Sequence, residues 1–296
     1  MPFFSKWLLS FFKRSSSTTS VEQNVDPTKW KEHFFGLHQQ RWQRLSGSIF
    51  WITGAGTGYG RSIACALAAT GSVVYLSGRR EEKLYESISE CRRLFAINTD
   101  NCHVLPTDVT VPSAIEKSCQ IIDKQNSKLT GIIHCAALPS LPTSPFPLRD
   151  GLSEKWDDLM MTNVKAPWLV TKTAFPLMLK NNTARVLFFS SGAGWADTVG
   201  FGIYNISKAA LNSLGRSIAR EFEKAYPEMD IQINTMDPGE AKTEMNRGTD
   251  ISRYQVVSMT LKLLSHPPGG PNGYFFHRDG RHLTFCNTAP FPIPIT

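Results

Sequence analysis

From residue 48 onward the chain alternates two kinds of apolar pattern. Short runs rich in β-branched and aromatic residues occur at 48–53, 72–77, 102–107, 129–136, 184–190 and 230–236. Each has the length and composition of a buried strand. Between them lie longer stretches, at 58–69, 81–97, 111–126, 154–180 and 201–225, whose apolar residues recur every three or four positions. That spacing predicts amphipathic helices. A further helix at 251–264 leads to a last short strand at 274–277. Alternating strands and helices imply right-handed crossovers and a parallel sheet covered on both faces. The expected fold class is therefore α/β, a single doubly wound parallel sheet with helices on both faces. No repeat or linker interrupts it after residue 48.

Residues 1–47 break the pattern and read as an N-terminal extension to a domain at 48–296. Phe4, Trp7, Leu8, Phe11 and Phe12 would share one helical face, with Lys6, Lys13 and Arg14 beside them. Residues 15–20 (SSSTTS) read as a flexible spacer. Three readings compete here. They are a disordered or loosely docked tail, a helix lying on a membrane surface through residues 1–14, and an organelle-targeting peptide. Lys6 interrupts the apolar stretch and no small-residue cleavage site follows, which disfavours a secretory signal.

Composition narrows the function classes. The 296 residues are 41% hydrophobic and 19% charged, enough to bury a full core. No apolar run approaches the roughly 18 residues of a membrane-spanning helix. The net charge of +7 comes from scattered residues. A nucleic-acid surface would need a basic stripe with interleaved aromatics, so nucleic-acid binding is not expected. A mild positive balance does suit an anionic cofactor or an anionic membrane surface. The six cysteines lack zinc-ligand spacing and the seven histidines include no His-x-x-x-His pair, so no metal is expected. Buried reduced thiols fit a cytoplasmic protein.

The first strand runs into Thr53-Gly54-Ala55-Gly56-Thr57-Gly58-Tyr59-Gly60, and a helix follows at once. Glycines there permit unusual dihedrals and close approach of a dinucleotide's pyrophosphate. The helix N-terminus offers free N–H groups to the phosphates. The second strand ends at Ser77-Gly78-Arg79-Arg80, without the acidic residue that would hold an NAD ribose. Arg79 suits a 2′-phosphate, which favours NADP(H) over NAD(H). Asp108, in Thr107-Asp108-Val109, is either an acceptor for the adenine amino group or a helix cap.

Tyr204 and Lys208 stand four residues apart at the start of a helix, hence on one face. An ammonium beside a phenol favours the phenolate and would lower the Tyr204 pKa toward neutrality. Ser191 lies just past the fifth strand, at the sheet's carboxyl end where ligands bind, and would hold the substrate oxygen beside Tyr204. Ser190 points the other way if the strand continues.

Together these pieces resemble the short-chain dehydrogenase/reductase family, compact branch. The matching residues are Thr53-Gly54-x-x-x-Gly58-x-Gly60, Asp108-Val109, Asn163, Ser191, Tyr204-x-x-x-Lys208 and Pro238-Gly239-x-x-x-Thr243, in the family's order over 48–283. The resemblance implies a Rossmann-like fold and reversible hydride transfer between NADP(H) and a carbonyl or alcohol substrate. It implies that Asn163 holds a proton-relaying water near Lys208 and that Ala136 borders the cofactor. Pro238 and Gly239 would lie near the nicotinamide, with Thr243 on its carboxamide side. It also implies a homodimer or homotetramer through the helices at 154–180 and 201–225.

Three departures stand out. His134-Cys135-Ala136-Ala137 replaces the family's Asn-Asn-Ala-Gly and alters the local geometry. The segment after Thr243 is short, which points to an open site and a large or carrier-bound substrate. The run 138–152 is rich in proline, fitting a rigid wall near the site or a solvated loop equally. The rival reading is a dinucleotide-binding sensor or scaffold without turnover.

Overall fold

The computed structural model describes residues 25–139, 148–149, 151–196 and 198–283. The amphipathic stretch at 1–14 and most of the proline-rich run at 138–152 lie outside the described residues. Among the described residues no helix is long and apolar enough to cross a membrane.

The strands are β1 (Ile49–Thr53), β2 (Val73–Gly78), β3 (Cys102–Pro106), β4 (Gly131–His134), β5 (Thr183–Phe189), β6 (Asp230–Asp237), β7 (Phe275–His277) and β8 (His282–Leu283). They form one sheet in the order β3-β2-β1-β4-β5-β6-β7-β8. All neighbours are parallel except β7 and β8, a terminal antiparallel turn-back that the sequence pattern did not show. Two residues are too short for periodicity to register. The order reverses direction between β1 and β4, and a crevice opens there at the carboxyl ends of the strands.

The helices are α1 (Trp30–His33), α2 (Gln39–Arg44), α3 (Gly58–Ala69), α4 (Glu81–Phe95), α5 (Pro112–Asn126), α6 (Ser153–Met160), α7 (Ala166–Leu179), α8 (Gly202–Ala225) and α9 (Val257–Leu264). One apolar layer joins α3, α4 and α9 to one face of the sheet, through residues such as Ile63, Leu84 and Leu261. A second joins α5, α7 and α8 to the other face, through Ile115, Val170 and Leu211.

One expectation is corrected. The helix expected over 154–180 is divided into α6 and α7 by a wider π turn at Met161–Lys165. Pro167 lacks an N–H, so the carbonyl of Asn163 has no donor four residues on, and the regular ladder cannot continue there. Within the N-terminal extension, Trp30, Phe35, Leu37, Trp42 and Leu45 are buried in the first apolar layer. The Trp30 ring stacks on Trp42 at 5.2 Å, and its indole N–H donates to the Phe95 carbonyl at 3.1 Å.

Candidate active site

A cleft of about 430 Å³ lies over the carboxyl ends of β1, β2 and β4. Its floor is the glycine loop, where two positions admit only glycine. Gly54 has φ +69°, and a Cβ there would fall 2.6 Å from the Ala136 nitrogen. A Cβ on Gly60 would fall 2.4 Å from the Gly54 carbonyl oxygen. The loop is also held from behind. Arg61 Nε donates to the Gly56 carbonyl at 3.0 Å, and Ser87 Oγ to that of Ala55 at 2.8 Å. Tyr59 Oη donates to the Gly239 carbonyl at 2.7 Å, tying the loop to the turn after β6. Thr57 precedes the first turn of α3, whose N–H groups face the cleft mouth.

One end of the cleft is basic. Arg79, Arg80 and Lys83 line it, and no acidic residue ends β2. Arg79 is exposed and makes no ion pair among the described residues. Arg80 reaches across to Glu244 at 3.0 Å. Asp108 and the buried Val109 line the same end. The Asp108 carboxylate accepts the N–H and hydroxyl of Thr110 at 2.9 and 2.7 Å, so its capping is of that turn and not of α5. Burial alone would raise the Asp108 carboxyl. The Thr110 bonds and the nearby Arg79 outweigh it and hold the group below its ordinary value.

Ser191, Tyr204 and Lys208 do not line this cleft but are gathered beside it, Lys208 near Cys135 and Tyr204 near Tyr59, both of which do line it. Ser191 follows β5, and Tyr204 and Lys208 lie on successive turns at the start of α8. The Ser191 hydroxyl accepts the Ala193 N–H at 3.2 Å and lies near the Tyr204 phenol. Lys208 Nζ sits 5.5 Å from the centre of the Tyr204 ring and donates to the Phe189 carbonyl at 2.9 Å. Ser190 turns away, toward the Lys208 carbonyl. The phenol is not lowered as the sequence led us to expect. Burial pushes Tyr204 up to about 12, with Ser191 opposing and the Asp237 carboxylate adding to the rise. Burial also brings Lys208 down to about 8, opposed by Cys135 and Asp237. Tyr204 is therefore a protonated phenol at neutral pH.

Asn163 lies buried in the π turn with its amide fully engaged. Its Oδ1 accepts the Leu138 N–H at 2.8 Å, and its Nδ2 donates to the Leu138 carbonyl and to Ser207 Oγ, both at 3.1 Å. Pro238 and Gly239 form the turn after β6, and Thr243 faces the glycine loop across the cleft, 3.4 Å from where a Gly58 Cβ would stand. Ala136 and Ala137 line the cleft beside Gly54. His134 is buried against α7, its Nε2 2.9 Å from Thr171 Oγ1 and its ring stacked 4.8 Å from Phe188. Burial pushes it down to about 3, so the imidazole is neutral. Trp195 and Met245 are exposed, and Met245 lines the cleft.

Sequence reasoning did not single out Arg80, Lys83, Thr110 or Glu244, which also line the cleft. Lys83 carried a readable signal, a basic residue in the first turn of the helix after β2. Glu244 carried none. Among the described residues no group of three or more His, Cys, Asp or Glu could hold a metal ion.

The residues present fit a dinucleotide. The floor has no room for a Cβ at Gly54 or Gly60, the N-terminal residues of α3 line the cleft, and cations line one end of it. The family model for the short chain dehydrogenases matches residues 48–253, and the chain belongs to that family. It is an NAD(P)-dependent oxidoreductase. The uncharacterized oxidoreductase YciK of Escherichia coli K12 is 27% identical over 220 residues, 70% of this chain and 79% of its own length. An uncharacterized oxidoreductase of Staphylococcus aureus is 26% identical over 229 residues, 75% of this chain and 93% of its own. The solved structure of E. coli YciK superposes with a TM-score of 0.71 at 25% identity, covering 80% of this chain and 97% of that one. A short chain dehydrogenase of Shigella flexneri solved in complex with NADP has the same fold, with a TM-score of 0.71 at 24% identity, covering 80% of this chain and 99% of that one.

Proposed function

We propose that the chain reduces a carbonyl compound at the expense of NADPH, reversibly, with Tyr204 as the proton donor. The observation that carries this reading is the convergence of Ser191, Tyr204 and Lys208 beside the glycine-floored cleft, with Tyr204 in its protonated form. A bound nicotinamide cofactor supplies the hydride. The loop from Thr53 through Gly54, Gly56, Thr57, Gly58, Tyr59 and Gly60 would hold its phosphates, and Asp108, Val109 and Ala136 its adenosine half. Pro238, Gly239 and Thr243 would border the nicotinamide.

Ser191 donates to the substrate carbonyl oxygen and polarises it. Tyr204 then protonates the developing alkoxide. Lys208 stabilises the phenolate left behind and holds the nicotinamide ribose. The main-chain carbonyl of Asn163 receives a water that returns a proton through Lys208. Preference for NADPH follows from Arg79, supported by Arg80 and Lys83, where an acidic residue would exclude the 2′-phosphate. The Shigella structure holds NADP, and an E. coli short chain dehydrogenase structure at 24% identity holds NADPH. No observation favours a sensor or scaffold without turnover. The homo-oligomer implied by the resemblance would use the face where Trp156 and Trp168 stand exposed near Met160, Met161 and Leu214.

The test is a fluorescence titration of the purified protein with NADPH and NADH, then a carbonyl screen. NADPH should bind more tightly, and Arg79→Ala should weaken it about tenfold, as loss of a charge-assisted contact implies, while leaving NADH unchanged. In the screen, Tyr204→Phe should lose at least about two orders of magnitude in turnover with NADPH affinity kept. Equal turnover by variant and parent would remove Tyr204 from the mechanism.

A further inference from the structure

β6 delivers a buried acid close to Gly192 and Tyr204. Asp237, directly before Pro238, is only 6% exposed. Its Oδ1 accepts the Gly239 N–H at 2.9 Å. Its Oδ2 has no hydrogen-bond partner, and the residue joins no ion pair, among the described residues. The cations on neighbouring elements are engaged elsewhere: Lys208 with the Phe189 carbonyl, and Arg278 with the carbonyls of Pro238 and Glu240.

The free oxygen points at an opening beside Ser191. A Cβ on Gly192 would stand 3.3 Å from Asp237 Oδ2 and 4.0 Å from Trp195 Nε1. The missing side chain thus leaves a small recess next to the catalytic serine, with a carboxylate oxygen on one side and an indole N–H on the other. Oδ2 is not among the fully enclosed atoms that lack a partner, so it is open to this recess and can accept a hydrogen bond from a group that enters it. The carboxylate is also near enough to Tyr204 and Lys208 to act on both.

We propose that Asp237 is a specificity-determining residue, whose Oδ2 receives a hydrogen-bond-donating substituent, amino or hydroxyl, on the carbon next to the reacting carbonyl. A carboxylate in that position would meet like charge and be rejected. The inference rests on the reading of Ser191 and Tyr204 as the groups that hold the reacting oxygen.

The experiment is calorimetric binding of three alcohols to the full chain saturated with NADP+: 2-amino-1-phenylethanol, 1-phenylethanol and mandelate. The amino alcohol should bind at least about tenfold more tightly than 1-phenylethanol, as a hydrogen bond to a charged group implies, and mandelate weakest. Asp237→Asn keeps the side-chain volume and an acceptor for the Gly239 N–H, and should level the three while NADP+ affinity is unchanged. Gly192→Ala leaves the acid in place but fills the recess, and should level them too, which covers the case of an unstable Asn variant. No preference for the amino alcohol in the parent, no measurable binding of any of the three, or a preference kept in both variants overturns the inference. The NADP+ titration separates the two readings. Failure to bind NADP+ removes the cofactor reading and this inference with it, whereas NADP+ binding without the preference removes this inference alone.

Discussion

Lys208 and Tyr204 show what burial does to a pair that spacing alone describes. An ammonium one turn from a phenol favours phenolate in water. Here both groups are buried, and desolvation of the charged forms prevails, raising the phenol and lowering the ammonium. The result suits proton donation to a carbonyl. It also sets a pH dependence. Lys208 is charged below about 8 and loses its proton as pH rises through that value, against an ordinary 10.5. Turnover in the reducing direction should therefore fall with a midpoint near pH 8, read from a kcat/KM profile, and Lys208→Arg should carry that limb out of range. The sign for stability is opposite. Between about 8 and 10.5 the unfolded chain binds the proton that the folded chain has released, so this group's contribution to stability rises with pH. Tyr204, Lys208, Ser191 and Arg79 were legible as residues because motif spacing marks them. Their protonation was not, because burial is a property of the packed molecule.

At the scale of elements, the glycine loop is the most legible feature of the chain. A strand, a glycine run and a helix in immediate succession specify their own geometry, and α3 spans the residues expected of it. The reason for each glycine is tertiary, however. Gly54 clears a backbone from β4's end and Gly60 clears the loop itself. Gly60→Ala should lower NADPH affinity at least about tenfold in the fluorescence titration and lower the melting temperature, since a Cβ 2.4 Å from a carbonyl oxygen forces the loop to move. The helix expected over 154–180 teaches the converse. Its amphipathic pattern continues across the π turn, so periodicity reads one helix. The break follows from Pro167, which was in plain view but is tolerated in first turns, and only the structure shows which carbonyl it strands.

At the scale of the molecule, the segment at 25–47 changes most between sequence and structure. Periodicity assigned its aromatics no place, yet Trp30 and Phe35 pack on Phe95, Phe35 stacks on Tyr254, and Trp42 stacks on Trp30 and Phe35, all within the apolar layer of α3 and α4. Trp42→Ala should cost about 3–5 kcal/mol, the range for truncating a buried aromatic, in equilibrium denaturant unfolding. A loss within about 0.5 kcal/mol, the range of surface changes, would mean the segment is not part of the cooperative core.

The chain by itself determined the class of fold, the glycine run after β1 and the spacing of Ser191, Tyr204 and Lys208, because each is written in local periodicity or in short spacings that bonding geometry converts to neighbours. Only the tertiary structure decided which residues face them. Glu244 meets Arg80, Asp237 meets the space above Gly192, and the Asn163 amide clasps Leu138, all across long stretches of chain. No periodicity encodes such meetings. They depend on how the sheet twists and how layers pack, and burial then sets the charge state of every group so placed.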